Sequence, residues 1–191
     1  MLPDPTSRNG IERAAWQAKL ADLPADSVHR LAGGHFTFSF AIEDFQAESL
    51  NALNDTLSRD IPAYSGWPPF TYLHGAGRRP VARGDMIEAW LADLAEQEAD
   101  SSDYWRVSRD GKGFLVRPMQ EDNPHFMENR NPPARPLFDW TLPIYRAAEL
   151  LKFVQTLALR YAGPNAQVSV ILQYYNAAPG GSCALAILDS T

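Results

Sequence analysis

The sequence predicts an α+β fold, with an antiparallel or mixed sheet covered by helices on one face. Residues 35–42 alternate apolar and polar side chains with the period of a half-buried strand. Asp110-Gly111, between two alternating segments, is typical of a two-residue hairpin turn. The longest helical pattern begins at Thr141-Leu-Pro143 and stops at Gly163-Pro164. Helices and strands thus alternate irregularly along the chain, as expected for this class.

The N-terminal elements are helical. Asn9-Gly-Ile-Glu12 resembles a capping box, and a second short helix is expected over 25–31. The predicted apolar side of the first helix consists of Ile11, Ala14, Ala15 and Ala18. We therefore divide the chain into a helical N-terminal segment, 1–33, and an α+β domain, 34–191.

The central elements start with the strand 35–42, whose inward face is expected to carry Phe36, Phe38, Phe40 and Ile42. A helix follows, marked by Leu50, Leu53 and Leu57. Asp85-Met-Ile-Glu88 then resembles another capping box and predicts a further helix. Its expected apolar face consists of Met86, Ile87, Trp90, Leu91 and Leu94.

The hairpin turn at Asp110-Gly111 fixes a predicted register. Val107 is placed opposite Phe114 and Trp105 opposite Val116, while Tyr104 pairs with Arg117 and Arg106 with Leu115. The first set is expected to be buried, and the second face to be partly cationic and more exposed. A loop widened at Lys112 or Gly113 would exchange the two faces.

The long helix shows a polar stripe that we expect to face solvent: Arg146, Glu149, Lys152, Thr156 and Arg160. Its apolar positions are expected to face inward: Ile144, Ala147, Leu151, Val154, Leu157, Ala158 and Tyr161. Residues 167–174 and 183–188 then read as two final strands, separated by the turn at Pro179-Gly-Gly181.

Composition limits the functional classes. The 191 residues are 45% hydrophobic with a net charge of −6 and a pI near 5.2, so nucleic acid is expected to be contacted only indirectly. Cys183 is the single cysteine, which favours a reducing compartment, and we expect the cytoplasm. No apolar run approaches the roughly 18 to 20 residues of a membrane span, so no membrane association is predicted.

No catalytic constellation, metal site or cofactor site is predicted. The four histidines at 29, 35, 74 and 125 share no ligand spacing, and neither common nucleotide-binding glycine motif occurs. The nearest pattern to a phosphate loop is His74-Gly-Ala-Gly-Arg-Arg79, in which Arg78 and Arg79 would hold an anion. An ordinary solvated loop is the favoured alternative for this segment.

A set of aromatic and charged residues forms a candidate ligand-binding site: Trp67, Tyr104, Arg106, Arg117, Arg146 and Glu149. The alternative is that the tryptophans share an aromatic core and that Arg146 pairs with Glu149 on the helix. The segment YSGWPPF, 64–70, must be extended, because proline disfavours helical backbone at the preceding residue. We expect Trp67 and Phe70 to clamp it beside the Trp105 strand and the Arg146 helix, with Tyr64 or the loop 74–79 at the rim.

Three segments, GWPPF, DYWRVSRDGKGFLVRPMQED and FDWTLPIYRAAELL, resemble the region that follows the Schlafen-type AlbA domain in bacterial proteins described as ATP-binding or DNA-binding regulators. The resemblance covers roughly Phe36 to Arg160. It implies a regulatory context and carries no catalytic residue to any position here, since the AlbA-type module itself is not visible.

These observations favour a non-catalytic recognition or regulatory module that binds a protein partner or a small anionic ligand. A small enzyme acting on an anionic substrate is the first alternative. A structural or oligomerisation domain is the second, so self-association stays open.

Overall fold

The computed structural model describes residues 5–30, 34–59, 62, 64, 68–73, 79–92, 102–119, 141–175 and 182–184. Within these ranges, seven strands form one antiparallel sheet in the order β2-β3-β4-β5-β1-β6-β7. Together with three α-helices they confirm the predicted α+β class. The strands are β1 His35–Ile42, β2 Val81–Arg83, β3 Met86–Trp90, β4 Tyr104–Ser108, β5 Lys112–Pro118, β6 Val168–Tyr175 and β7 Ser182–Ala184.

The α-helices are α1 Pro5–Ala21, α2 Leu50–Arg59 and α3 Thr141–Tyr161, and a short 3₁₀ helix spans Val28–Arg30. The helix predicted from Leu50, Leu53 and Leu57 and the predicted start of α3 are thus confirmed, whereas the second N-terminal helix is only one 3₁₀ turn. None of the helices within the described ranges is long and apolar enough to cross a membrane.

Strand β1 lies inside the sheet, between β5 and β6, and its alternating pattern is confirmed. One face of the sheet packs against α2 and α3. The buried side chains there come from β1 (Phe36, Phe38, Phe40, Ile42), α2 (Leu53, Leu57) and α3 (Leu150, Phe153, Val154, Leu157). Burying one such side chain contributes roughly 1.5 to 3 kcal/mol. This layer therefore forms the main core.

The other face of the sheet is covered by α1. Trp16 and Leu20 of this helix pack with Tyr104, Phe114 and Val116 of the β4-β5 hairpin. Hence α2 and α3 share one face, as predicted, and α1 adds a layer on the second face. The hairpin needs this cover because its strands carry apolar side chains on both faces.

Helix α1 differs from its prediction in its start and its buried side. It begins at Pro5, and its inward residues are Glu12, Trp16 and Leu20, whereas Ala14 and Ala18 are exposed. The tryptophan and leucine bury more apolar area than an alanine stripe, and this sets the orientation of the helix.

The register of the β4-β5 hairpin differs from the prediction by one residue. The observed pairs are Tyr104 with Val116, Trp105 with Leu115, Arg106 with Phe114 and Val107 with Gly113. The loop holds residues 109–111, and Gly111 lies at φ 79°, as in a type I turn closed by a bulge. Arg117 therefore shares a face with Trp105, and the predicted exposed face of Tyr104, Arg106 and Arg117 does not exist. The burial of Trp105 is confirmed.

Residues 86–90 form strand β3, so the predicted helix at this position is wrong. Arg83 pairs with Met86, and Gly84-Asp85 is left as a two-residue loop with Gly84 at φ 61°. Glycine at the first loop position is typical of a type II′ hairpin. Gly84 thus favours a turn at the position where Asp85 and Glu88 resemble a helix-capping box. Leu94 lies outside the described residues.

Helix α3 is rotated relative to its prediction. Arg146 and Glu149, expected on the solvent side, are 3% and 1% exposed, whereas Ile144 and Leu151, expected inward, are exposed. The inward positions of Val154, Leu157 and Ala158 are confirmed. The apolar row Leu150, Phe153 and Leu157 faces the sheet and brings the two charged residues with it.

The C-terminal strands agree with the sequence where they are described. The predicted strand 167–174 is β6, with Tyr174 buried and Val168, Val170 and Leu172 half-buried against the main core. Strand β7 pairs Cys183 with Tyr174. The remainder of the predicted strand 183–188 lies outside the described residues.

Candidate functional site

Arg117 and Asp103 form a buried ion pair in the main core. The Arg117 Nε atom lies 3.0 Å from each Asp103 carboxylate oxygen, and Nη2 lies 2.6 Å from Oδ2. Both side chains are nearly inaccessible, at 3% and 0% exposure. A buried guanidinium needs such a forked partner, because an unpaired charge in the interior is strongly unfavourable.

The same guanidinium also holds the segment 68–71. Its Nη2 group donates to the Pro68 carbonyl oxygen at 2.8 Å and to Thr71 Oγ1 at 2.9 Å. The indole Nε1 of Trp105 donates to the Thr71 carbonyl oxygen at 2.8 Å. This cluster of Arg117, Asp103, Thr71, Pro68 and Trp105, hereafter the Arg117 network, ties the proline-rich segment to β4 and β5.

Phe70 carries the packing part of the predicted clamp. Its ring is fully buried, stacks on Phe153 of α3 at 4.6 Å and meets Trp105 edge-on at 5.8 Å. Its backbone lies at φ 50°, a strained conformation for a bulky residue. The clamp prediction is therefore confirmed for Phe70, and Tyr64 is exposed as expected. Trp67 lies outside the described residues.

Arg106 lies on the opposite face of the sheet, under α1. Its Nη1 group is 2.9 Å from Glu12 Oε2, and its Nε is 3.4 Å from Glu88 Oε2. Lys19 Nζ lies 3.0 Å from Glu88 Oε1. This Arg106 cluster links α1 to β3 and β4 and balances two cations against two carboxylates.

Tyr104 completes the Arg106 cluster. Its hydroxyl donates to Glu88 Oε2 at 3.2 Å, and the side chain is fully buried. Burial raises the pKa of the Tyr104 hydroxyl well above its usual range, and the Glu88 carboxylate raises this pKa further. The nearby Arg106 lowers the pKa by a smaller amount, so Tyr104 is neutral and a hydrogen-bond donor near pH 7.

Arg146 and Glu149 are buried on α3 and face the sheet. The Arg146 guanidinium carbon lies 5.4 Å above the centre of the Phe36 ring, a cation–π geometry. Phe36 is also the β1 neighbour of Arg117, so Arg146 and Arg117 lie on the same face.

In the predicted anion loop, Arg78 lies outside the described residues, and Arg79 is exposed.

Five of the six predicted ligand residues are described, and they are divided between two layers. Tyr104 and Arg106 lie beneath α1, whereas Arg117, Arg146 and Glu149 lie beneath α3 on the other side of the sheet. The structure also adds partners that sequence reasoning missed: Asp103, Thr71, Glu12, Lys19 and Glu88. One sequence feature could have predicted a carboxylate partner for Arg117. This arginine lies on an apolar strand, and a buried arginine requires a carboxylate nearby.

His29 is buried beside β4. Its Nδ1 atom lies 2.5 Å from Ser102 Oγ, which connects the 3₁₀ turn to the start of the hairpin. Within the described ranges, no three histidine, cysteine or carboxylate side chains come together as metal ligands.

An open groove of about 660 Å³ lies between α3 and β6, away from the charged clusters. Leu151, Lys152 and Leu159 form its helical wall, and Val168 and Val170 belong to its strand wall. Leu151 is 40% exposed and Leu159 is 56% exposed. The groove is therefore a largely apolar surface that is accessible to solvent.

Comparison of the chain with protein-family profiles, with curated proteins and with solved structures gives no match.

Proposed function

We propose that the chain is a non-catalytic recognition or regulatory module of a bacterial Schlafen/AlbA-like protein, working in the cytoplasm, and that it binds a protein partner through the outer face of α3. The motifs GWPPF, DYWRVSRDGKGFLVRPMQED and FDWTLPIYRAAELL support the family context. The binding surface is inferred from the placement of apolar side chains on this one helix.

The observation that carries the proposal is the exposure of Ile144, Tyr145, Leu151 and Leu159. They are four of the six exposed large hydrophobic residues in the described part of the chain. Single exposed apolar residues are normal on protein surfaces, whereas a group on one helix next to a groove indicates an interaction site. A partner would remove this apolar surface from water.

A small anionic ligand is less well supported by the same geometry. Arg117 and Arg106 already contact carboxylates inside the protein, at Asp103 and at Glu12 and Glu88 respectively. A second open groove of about 580 Å³ includes three carboxylates and one guanidinium: Glu48, Asp85, Asp110 and Arg109. That excess of negative charge disfavours a carboxylate or phosphate ligand.

A photo-crosslinking amino acid placed at Leu159 tests the proposal in the native cells. We expect a discrete covalent adduct with one or a few proteins, identified by mass spectrometry. The matched control places the same amino acid at Tyr64, which is similarly exposed but lies outside the groove. Adducts of the same kind and yield at both positions, or none at Leu159, would contradict the proposal.

A further inference from the structure

The charge around the groove also identifies a class of partner. Resting on the proposed function, we propose that the groove between α3 and β6 binds an acidic amphipathic helix, in which apolar residues at helical spacing are flanked by aspartate or glutamate.

The first support is a second stripe on α3, hereafter the outer stripe, which is apolar at four of its five positions. Ile144, Ala148, Leu151, Gln155 and Leu159 follow one another at spacings of three or four residues, and all five are exposed. The stripe covers fifteen residue steps, or about 22 Å of helix. A helix with apolar residues on both sides is expected where both sides are packed. An amphipathic helix places its own apolar residues at matching intervals in such a groove.

The second support is the sign of the charge. Glu149 is the single acidic residue of α3 and is 1% exposed, so it contributes nothing to the outer surface. Lys152 lines the groove, and its ammonium group contacts Gln155 Oε1 at 3.0 Å. Among the described residues that line the groove, none is acidic. Carboxylates on a partner therefore meet a cation here and no opposing acid.

The same charges disfavour a second copy of the chain as the occupant. Lys152 lies near the middle of the stripe, so an antiparallel pairing of two α3 helices would bring the two ammonium groups close together. A helix with excess carboxylates places its charges beside Lys152 without this penalty.

A displayed library of random sixteen-residue helices tests the inference without knowledge of the natural partner. The bait is the full chain, and counter-selection uses Leu159→Asp, whose folding is checked by thermal melting. We expect enriched peptides to carry apolar residues at i, i+3 or i+4 and i+7 with aspartate or glutamate beside them. Lys152→Glu should weaken the best of these peptides at least threefold, and raising the salt from 50 to 300 mM should weaken it as well.

The outcomes separate this inference from the proposed function. Peptides that require Leu159 but are neutral or basic would overturn the acidic class and leave protein recognition standing. Absence of any peptide that requires Leu159 would overturn the inference, while the crosslink from Leu159 would still decide the proposed function on its own. A dimer of the isolated chain that Leu159→Asp abolishes would show that the occupant is a second copy, which contradicts the inference.

Discussion

At the scale of single residues, Arg117 is the clearest case of a charge used inside the protein. Its guanidinium makes contacts with Asp103, Thr71 and the Pro68 carbonyl, and these partners lie in the interior or on the proline-rich segment. Removing either member of the pair leaves an uncompensated buried charge, which is more costly than the pair is stabilising.

We expect Asp103→Asn and Arg117→Met each to lower the free energy of unfolding by about 3 to 5 kcal/mol. The double variant should lose less than the sum, because it leaves neither charge unpaired. Chemical denaturation of the parent protein, the two single variants and the double variant measures the coupling free energy of the pair. The exposed pair Lys112 and Asp110 is the control, and its variants should cost about 1 kcal/mol or less. Additive losses at Asp103 and Arg117 would show that the pair is not coupled.

Gly113 illustrates a position where a close approach requires glycine. A Cβ atom built on it would lie 2.1 Å from Cε1 of Phe40, and that ring is held by Phe70 and Phe153. Gly113→Ala should therefore destabilise the protein by about 1 to 3 kcal/mol through overpacking. The cost should shrink in a Phe40→Leu background, as measured by thermal melting. An equal cost in both backgrounds would contradict the clash.

The raised pKa of Tyr104 predicts that the protein loses stability at high pH. Its pKa is raised in the folded protein, so above the unfolded value of about 10 the unfolded chain releases a proton that the folded protein retains. Stability is then fully present below about pH 10 and falls above it, by up to ~1.4 kcal/mol per pH unit from this group. In urea unfolding measured between pH 8 and 11, the free energy of unfolding should fall less steeply with pH for Tyr104→Phe than for the parent protein. Identical slopes for the two proteins would contradict the assignment.

At the scale of elements, the predictions that rested on periodicity succeeded for β1 and for the limits of α3, and those that depended on a single glycine failed. The alternation in β1 and the limits of α3 were predictable from pattern alone, since both are long and strongly periodic. The register at Gly111 and the turn at Gly84 depend on one residue at positive φ, and periodicity does not determine it. The burial of Arg146 and Glu149 depends on tertiary packing around Phe153 and was not accessible from α3 alone.

Helix α3 should show different sensitivity on its two sides. Phe153→Ala removes a core ring and should cost about 3 to 5 kcal/mol. Leu151→Lys and Leu159→Lys on the outer stripe should change the free energy of unfolding by less than about 0.5 kcal/mol. Chemical denaturation compares the three variants. A loss at Leu159 comparable to that at Phe153 would show that the outer stripe is packed within the chain.

At the scale of the whole molecule, the sheet lies between two helical layers. The Arg106 cluster fastens α1 on one side, and the Arg117 network fastens the segment 68–71 on the other. The candidate ligand residues predicted from sequence therefore do not meet in one cleft within the described part of the chain. The outer stripe of α3 is an accessible apolar surface within the described part of the chain. From the sequence, two of its residues, Ile144 and Leu151, were expected to face inward.

The most direct measurement compares one groove variant with one arginine variant in binding. An acidic peptide selected on the full chain is titrated calorimetrically into the parent protein, Leu159→Asp and Arg106→Lys, all three shown to be folded by melting. We predict that Leu159→Asp lowers the affinity at least tenfold and that Arg106→Lys, which keeps the charge near Glu12 and Glu88, changes it less than twofold. Unchanged binding by Leu159→Asp together with a loss for Arg106→Lys would contradict the account and place recognition at the arginines.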